Sequence, residues 1–409
     1  MIAANILSII ILSVFEGYSA EAVEISERMT VRMATESDCV ETVYSISGEG
    51  SDISEVLGNE KVCELLSSAD YPSEDRAWLE SQIRKETAVR NGSFLSRDGD
   101  RIERDFLFRR LINDYWSDCV IAVSDEHELT PDRYMLYDIA VYDIYGNLIT
   151  SYKANVNSMI TSSDGTVVFT QDGGKDIVFS FGENLYLTLQ NCTEDEWIRT
   201  VADREMYSRN LSHAVSNDGS LVAYNLFDND NNYSLSNIYI CNNRLDVQEE
   251  IPVVGMMQHI TISPDNRYVA FSDAHEQLSG VFDCNSRQIL FSTNTGYNTP
   301  RFSSNSEYCV LPSILCPSEN LIINLTDKTV KALSSNHLES NGVKYNWGWY
   351  ISNDGSIIAI GNSIIHNNEI VYQTEERRQC VISPSGCFAV IKSRAGSFSI
   401  AVVNAEGGR

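Results

Sequence analysis

The sequence predicts an all-β fold: a β-propeller, a ring of about seven four-stranded blades. Six or eight blades also fit, and a small helical N-terminal segment and one helical insertion interrupt the pattern. Three observations predict this. A serine-led polar turn recurs along the chain. Each copy precedes a short β-rich run, as in Ile260 to Ser272, which reads ITISPDNRYVAFS. The turn centres Asp98, Asp164, Asp218, Asp265, Asn305, Asp354 and Ser385 are spaced by 66, 54, 47, 40, 49 and 31 residues. From Asp164 onward the mean is about 44, the size of a four-stranded blade.

The turn has a chemical logic. In the copy at Ser263-Pro264-Asp265-Asn266 the serine and proline open the turn, the aspartate fills its middle, and the asparagine tolerates a positive φ. The following Tyr268-Val269-Ala270-Phe271 is β-rich. Further copies begin at Ser163, Ser216, Ser303, Ser352 and Ser383. A single blade cannot bury both faces, so successive blades must pack around a ring. The last copy ends on a third strand, Phe398 to Val403, with no fourth after it. Val40 to Ile46, near the other end of the chain, is the strand expected to complete that blade and remove an exposed edge.

Along the chain, residues 1–22 read as a signal peptide, with an apolar run from Ile2 to Phe15 and an Ala20-Glu21-Ala22 cleavage site. The run has no preceding Lys or Arg, and a start at Met29 or Met33 is the competing reading. Residues 23–92 form an N-terminal segment. Ile53, Val56, Leu57, Val62, Leu65 and Leu66 mark one short amphipathic helix, and a second runs from about Glu74 to Arg90, ended by Asn91-Gly92. Residues 93–409 carry the blades. After Ser96-Arg97-Asp98-Gly99, residues Ile102, Phe106, Leu107, Leu111 and Trp116 predict an inserted helix in place of a strand, with the displaced strand resuming at Cys119. Strands Tyr134–Tyr142 and Asn147–Tyr152 follow, joined by a turn at Asp143 to Gly146.

The net charge is −27, from 57 acids against 30 bases, and no basic stripe is present. Phosphate backbones need clustered Lys and Arg, so nucleic acid is excluded as a partner class. No stable membrane span is expected. The bases comprise 8 Lys and 22 Arg, a balance that suits either a salt-adapted protein or an ordinary acidic one. Ten cysteines without a Cys-x-x-Cys pair or zinc-like spacing to His predict mostly free thiols with at most one disulfide.

The cassettes ISPDNRYVAFS, VSNDGSLVAYN and ISNDGSIIAIG resemble the Ser-Pro-Asp-Gly repeats of WD-repeat-like and TolB-type β-propellers over roughly Ser93 to Asn404. The Trp-Asp and Gly-His dipeptides of strict WD repeats are absent, with Val281-Phe282-Asp283 the nearest echo. The resemblance implies a binding platform, and less often an enzyme; fold alone does not choose.

Chemistry is sparse. There is no G-x-S-x-G elbow, H-E-x-x-H or Walker loop, and Gly173-Gly174-Lys175 reads as a hairpin turn. No catalytic residue and no bound cofactor is expected. His213 and His259 each precede a cassette but sit one residue out of register, which sends them to opposite faces. They read as structural histidines or as channel-lining acid–base groups. Asp228, Asp230, Asn232 and Ser234 alternate oxygen ligands like the first half of a calcium loop, against the default of an exposed polar hairpin. Trp347 and Trp349 are candidate partner anchors at the ring's mouth, or filling between blades. Phe106, Arg109 and Arg110 of the insertion are the other partner-binding candidates. The expected function is non-catalytic: one face of the propeller engages a protein or other ligand. The alternative is a propeller-type hydrolase or lyase with acid and histidine groups at the channel. An exported or cell-surface location follows from the signal-peptide reading, a cytoplasmic one from its competitor.

Overall fold

The computed structural model describes residues 25–33, 40–46 and most of 53–404; within that span 104–118, 181–212, 228–235 and several shorter stretches lie outside the described residues. Five described sheets have four or more strands, built from the segments 213–253, 259–293, 301–334, 349–373 and 378–403. Each orders its strands in sequence, as in His259–Ile262, Tyr268–Asp273, Leu278–Asp283 and Gln288–Thr293. Two three-stranded sheets precede them, Cys119–Leu129 with Met135–Asp143 and Leu148–Ala154, and Ile160–Thr161 with Val167–Asp172 and Lys175–Ser180. The total falls within the expected six to eight blades.

Successive sheets stack as blades, with apolar side chains interlocked between neighbours. Ile240 and Ile251 of one blade share a core with Ile262, Phe271 and Phe282 of the next. Tyr268, Val281 and Phe291 in turn pack with Phe302, Leu311 and Ile323. Trp349 is 1% exposed and packs with Val310, Ile322 and Leu333 of the preceding blade. It fills the wedge between blades and is removed from the partner-binding set.

The N-terminal chain is woven into the ring. Val40–Ile46 pairs antiparallel with Phe398–Val403 and completes the last blade, as the sequence predicts. Ahead of it, Ile25–Met29 pairs in parallel with the outer edge of the 301–334 blade, and Arg32–Met33 with that of the 349–373 blade. Three short helices follow: α1 (Ile53–Leu57), α2 (Glu60–Ser67) and α3 (Ser73–Asn91). The single helix expected over 53–66 is thus two, because the side chain of Asn59 accepts the backbone N–H of Lys61 and Val62 and starts a new helix. Gly92, at φ 61°, ends α3 in the left-handed conformation.

One expectation is overturned beside the first turn. Arg101–Glu103 is a strand paired with Ser93–Leu95, so the chain after Asp98 continues a hairpin, and Ile102 is a strand residue. The turn chemistry prevails there over helical periodicity. Residues Phe106, Arg109 and Arg110 lie outside the described residues, as do Trp347, the oxygen ligands Asp228, Asp230, Asn232 and Ser234, and residues 1–22. Among the described residues no helix is long and apolar enough to cross a membrane. The described cysteines are free, and burial pushes the thiols of Cys241 and Cys284 up to about 11 and about 12. Those thiols are poor nucleophiles.

Candidate functional site

The site is assembled from the repeated turns. In four cassettes the first serine's hydroxyl donates to the side-chain oxygen of the third residue: Ser216 to Asp218 at 2.9 Å, Ser263 to Asp265 at 2.6 Å, Ser303 to Asn305 at 2.7 Å and Ser352 to Asp354 at 2.6 Å. The same serine oxygen accepts the backbone N–H of the sixth residue, as Ser263 does from Tyr268 at 2.8 Å. The fourth residue is left-handed in every described copy from Gly219 to Gly386, including Asn266 at φ 64°. Serine, an acid or amide oxygen at the third position and a residue tolerant of positive φ at the fourth therefore define the turn.

The turns also bond to one another around the ring. Asn266 donates to Asp218 at 2.8 Å, the Asp265 backbone N–H to the Ser306 hydroxyl at 3.0 Å, and Ser304 to Asn353 at 2.8 Å. The Asn353 backbone N–H then reaches the Pro384 carbonyl at 2.7 Å. Burial alone would raise the Asp218 carboxyl, but hydrogen bonds from Ser220, Asn266 and Ser216 outweigh it and hold the group below its usual value.

The last cassette lacks an acid, since Ser385 stands at its third position. Asp75 of α3 supplies one. The Asp75 carboxylate is fully buried and accepts from the Ser383 hydroxyl at 3.1 Å, the Ser385 backbone N–H at 3.0 Å and the Ser385 hydroxyl. A residue 308 positions away in sequence thus does the work of the missing cassette aspartate. Helix α3 continues the circuit to the first hairpin, where Arg84 donates to the Leu95 carbonyl at 2.9 Å. Its buried faces pack on both sides: Leu79 and Ile83 against Phe388 and Ile391 of the last blade, Ala88 against Phe94 and Val120 of the first sheet. Glu86 is paired with Lys392 of the last blade. The helix is the keystone between the two ends of the ring.

Among the described residues, the turns from Ser216 to Ser383 bond from blade to blade, and α3 links the last of them to the first hairpin. The chain is a β-propeller built of four-stranded blades. No protein-family model matches its sequence, and no curated protein does. Among solved structures the propeller is similar to the Cps50 (Swd1) β-propeller domain of Myceliophteria thermophila, at 12% identity and a TM-score of 0.41, covering 72% of this chain and 98% of that one. It is also similar to hydrazine synthase of Kuenenia stuttgartiensis, at 13% identity and a TM-score of 0.35, over 57% of this chain and 72% of that one.

At the mouth of the propeller, on the face of the serine–acid turns, lies a cavity of about 640 Å³. One wall is α3, through Glu74, Ala77, Trp78, Glu80 and Ser81; the others are Asp143 to Tyr145 and the second residues of five cassettes, Arg97, Asn217, Pro264, Ser304 and Pro384. The second cassette position was legible in the sequence as a turn residue. Its convergence on one cavity was not, because the repeat does not say which way each turn faces.

The cavity's charges are distributed unevenly. Glu80 is held by Arg84 at 2.8 Å, and the Asp143 carboxylate is occupied by the backbone N–H groups of Tyr145 and Asn147. Arg84 and Arg97 both lie over the Tyr145 ring, at 4.7 and 4.6 Å from its centre. No described histidine lines it. Backbone pairing sets His213 opposite Tyr224 but His259 opposite Ser272, the one-residue offset read from the sequence. His259 is spent on Thr299, 3.0 Å away. Among the described residues no group of three or more His, Cys, Asp or Glu is placed to hold a metal ion.

Burial, and the nearby charge of Arg301, push the His259 imidazole below its usual value of 6.5. The unfolded chain then binds the proton more readily. The stability contributed is complete above the usual histidine value and is lost as pH falls through the depressed one. Urea unfolding should show this loss as the pH is lowered below the usual histidine value. The His259→Gln variant should lack that part of the slope; identical slopes would refute the assignment.

Proposed function

We propose that this propeller is a non-catalytic binding protein that engages a protein partner on its serine–acid turn face. The supporting observation is the convergence of five cassette turns and α3 on one cavity at the mouth. Side chains from many blades meet there on a rigid, cross-bonded rim, which suits recognition. Glu80 is held by Arg84 and Asp143 by its own turn, and no described histidine stands beside the cavity's carboxylates, which favours binding over the hydrolase or lyase alternative.

The test is site-specific photo-crosslinking in the source cells. A crosslinker at Asn217 samples the turn face. One at Asn298, in the loop leading to Arg301, samples the opposite face, since successive turns of a blade alternate between ends. A discrete adduct from Asn217 and none from Asn298 is the expected outcome. Adducts from Asn298 alone, or from neither position, would overturn the proposal.

A further inference from the structure

The cavity at the mouth has two opposite poles along α3. At the helix's first turn Glu74 carries a carboxylate whose described contact is the Ser304 hydroxyl, at 3.2 Å. At the other pole the exposed Arg97 guanidinium rests on Tyr145 with no carboxylate partner among the described residues. The remaining lining charges are internally spent: Glu80 on Arg84, Asp143 on its own turn. Among the described lining residues, Glu74 and Arg97 are therefore the charges left to a ligand.

The separation of the poles follows from the helix. Arg84 and Arg97 both lie over the Tyr145 ring, which places Arg97 toward the Arg84 end of α3. Glu74 is ten residues earlier, ~15 Å along the axis at about 1.5 Å per residue. The positive end of the helix dipole does not govern the Glu74 pole, because Asp75 in the same turn is a second, buried carboxylate. Between the poles the wall offers Trp78, 8% exposed, whose buried indole N–H has no hydrogen-bond partner, and the polar Asn217.

From this geometry we infer that the cavity binds a short extended peptide with free ends, its ammonium at Glu74 and its carboxylate at Arg97. An extended chain spans about 3.3–3.6 Å per residue, so ~15 Å corresponds to about four residues. The volume of about 640 Å³ lies in the range of small-ligand sites. The guanidinium, braced on an aromatic ring, presents its edge for a two-pronged carboxylate contact. This site does not depend on the protein-partner proposal; a failed crosslink at Asn217 leaves it untouched.

The experiment is calorimetric titration of the full chain with tetra-alanine, dialanine, N-acetyl-tetra-alanine and tetra-alanine amide. Tetra-alanine should bind saturably, and dialanine, too short to reach both poles, at least about tenfold more weakly. Acetylation and amidation should each cost about tenfold. In Glu74→Gln the acetylated and free peptides should bind alike; in Arg97→Gln the amide and the acid should bind alike. Both residues are exposed, and an unchanged unfolding midpoint would confirm that the variants fold. Absence of saturable binding by tetra-alanine would overturn the inference. So would equal affinity for free and blocked peptides in the unmodified protein, or end-group discrimination that survives both substitutions.

Discussion

Replacing Asp75 by alanine should lower the unfolding free energy by about 3 kcal/mol, a large loss for one polar side chain. The carboxylate is fully buried and takes three hydrogen bonds from the last cassette. Its loss strands the Ser385 backbone N–H and two hydroxyl donors in a dry turn, each at a cost of about 1–3 kcal/mol before relaxation. The decisive part is the sign of the second substitution. Ser385→Asp alone should destabilise, because it sets a second carboxylate against a buried one. In the Asp75→Ala background the same change should restore stability, since the cassette then has its own acid, as Asp218, Asp265 and Asp354 serve theirs. A double-mutant cycle in urea reads this directly. Additive effects of the two changes would mean that Asp75 is an ordinary buried carboxylate and no stand-in for the cassette acid.

Ile83→Ala should cost about 2–5 kcal/mol, the range for deleting a buried aliphatic chain where the surroundings cannot collapse. Ile83 has no exposure and sits in the core shared by α3, the last blade and the small helices. A helix wedged between two sheets cannot move to fill the gap without giving up contact on its other side, where Ala88 meets Phe94 and Val120. Hydrogen exchange should therefore accelerate at both ends of the ring, in 378–403 and in 119–143, and stay slow in the distant 259–293 blade. Acceleration confined to the last blade would show that α3 is a passenger on it and does not join the two ends.

Much of this fold is written in local chemistry. The turn at Ser263-Pro264-Asp265-Asn266 needs a serine that donates and accepts, an acid that receives it and a residue at ease with positive φ, and the sequence shows that triple at blade spacing. The strand Val40–Ile46 was legible for a similar reason: the last blade was one strand short, and an unpaired edge demands a partner. The histidine offset was equally readable, because β-strands alternate with period two.

Other features depend on contacts between residues far apart in sequence. Helical periodicity at Ile102 pointed one way and the turn before it another; pairing with Ser93–Leu95 decided for the strand. Trp349 carries the chemistry of a binding anchor, but its position one strand from the neighbouring blade makes it filling. Ser385 stands where Asp218, Asp265 and Asp354 stand in their cassettes. It is a socket for Asp75, 310 residues away, and no local rule links the two positions. The sequence by itself determined the repeat, the turn geometry and the blade, because each rests on residues within a few positions of one another. The tertiary structure alone decided that α3 is the keystone, and that Arg97, Asn217, Ser304 and Glu74 face one cavity, because a ring brings together residues that the chain keeps apart.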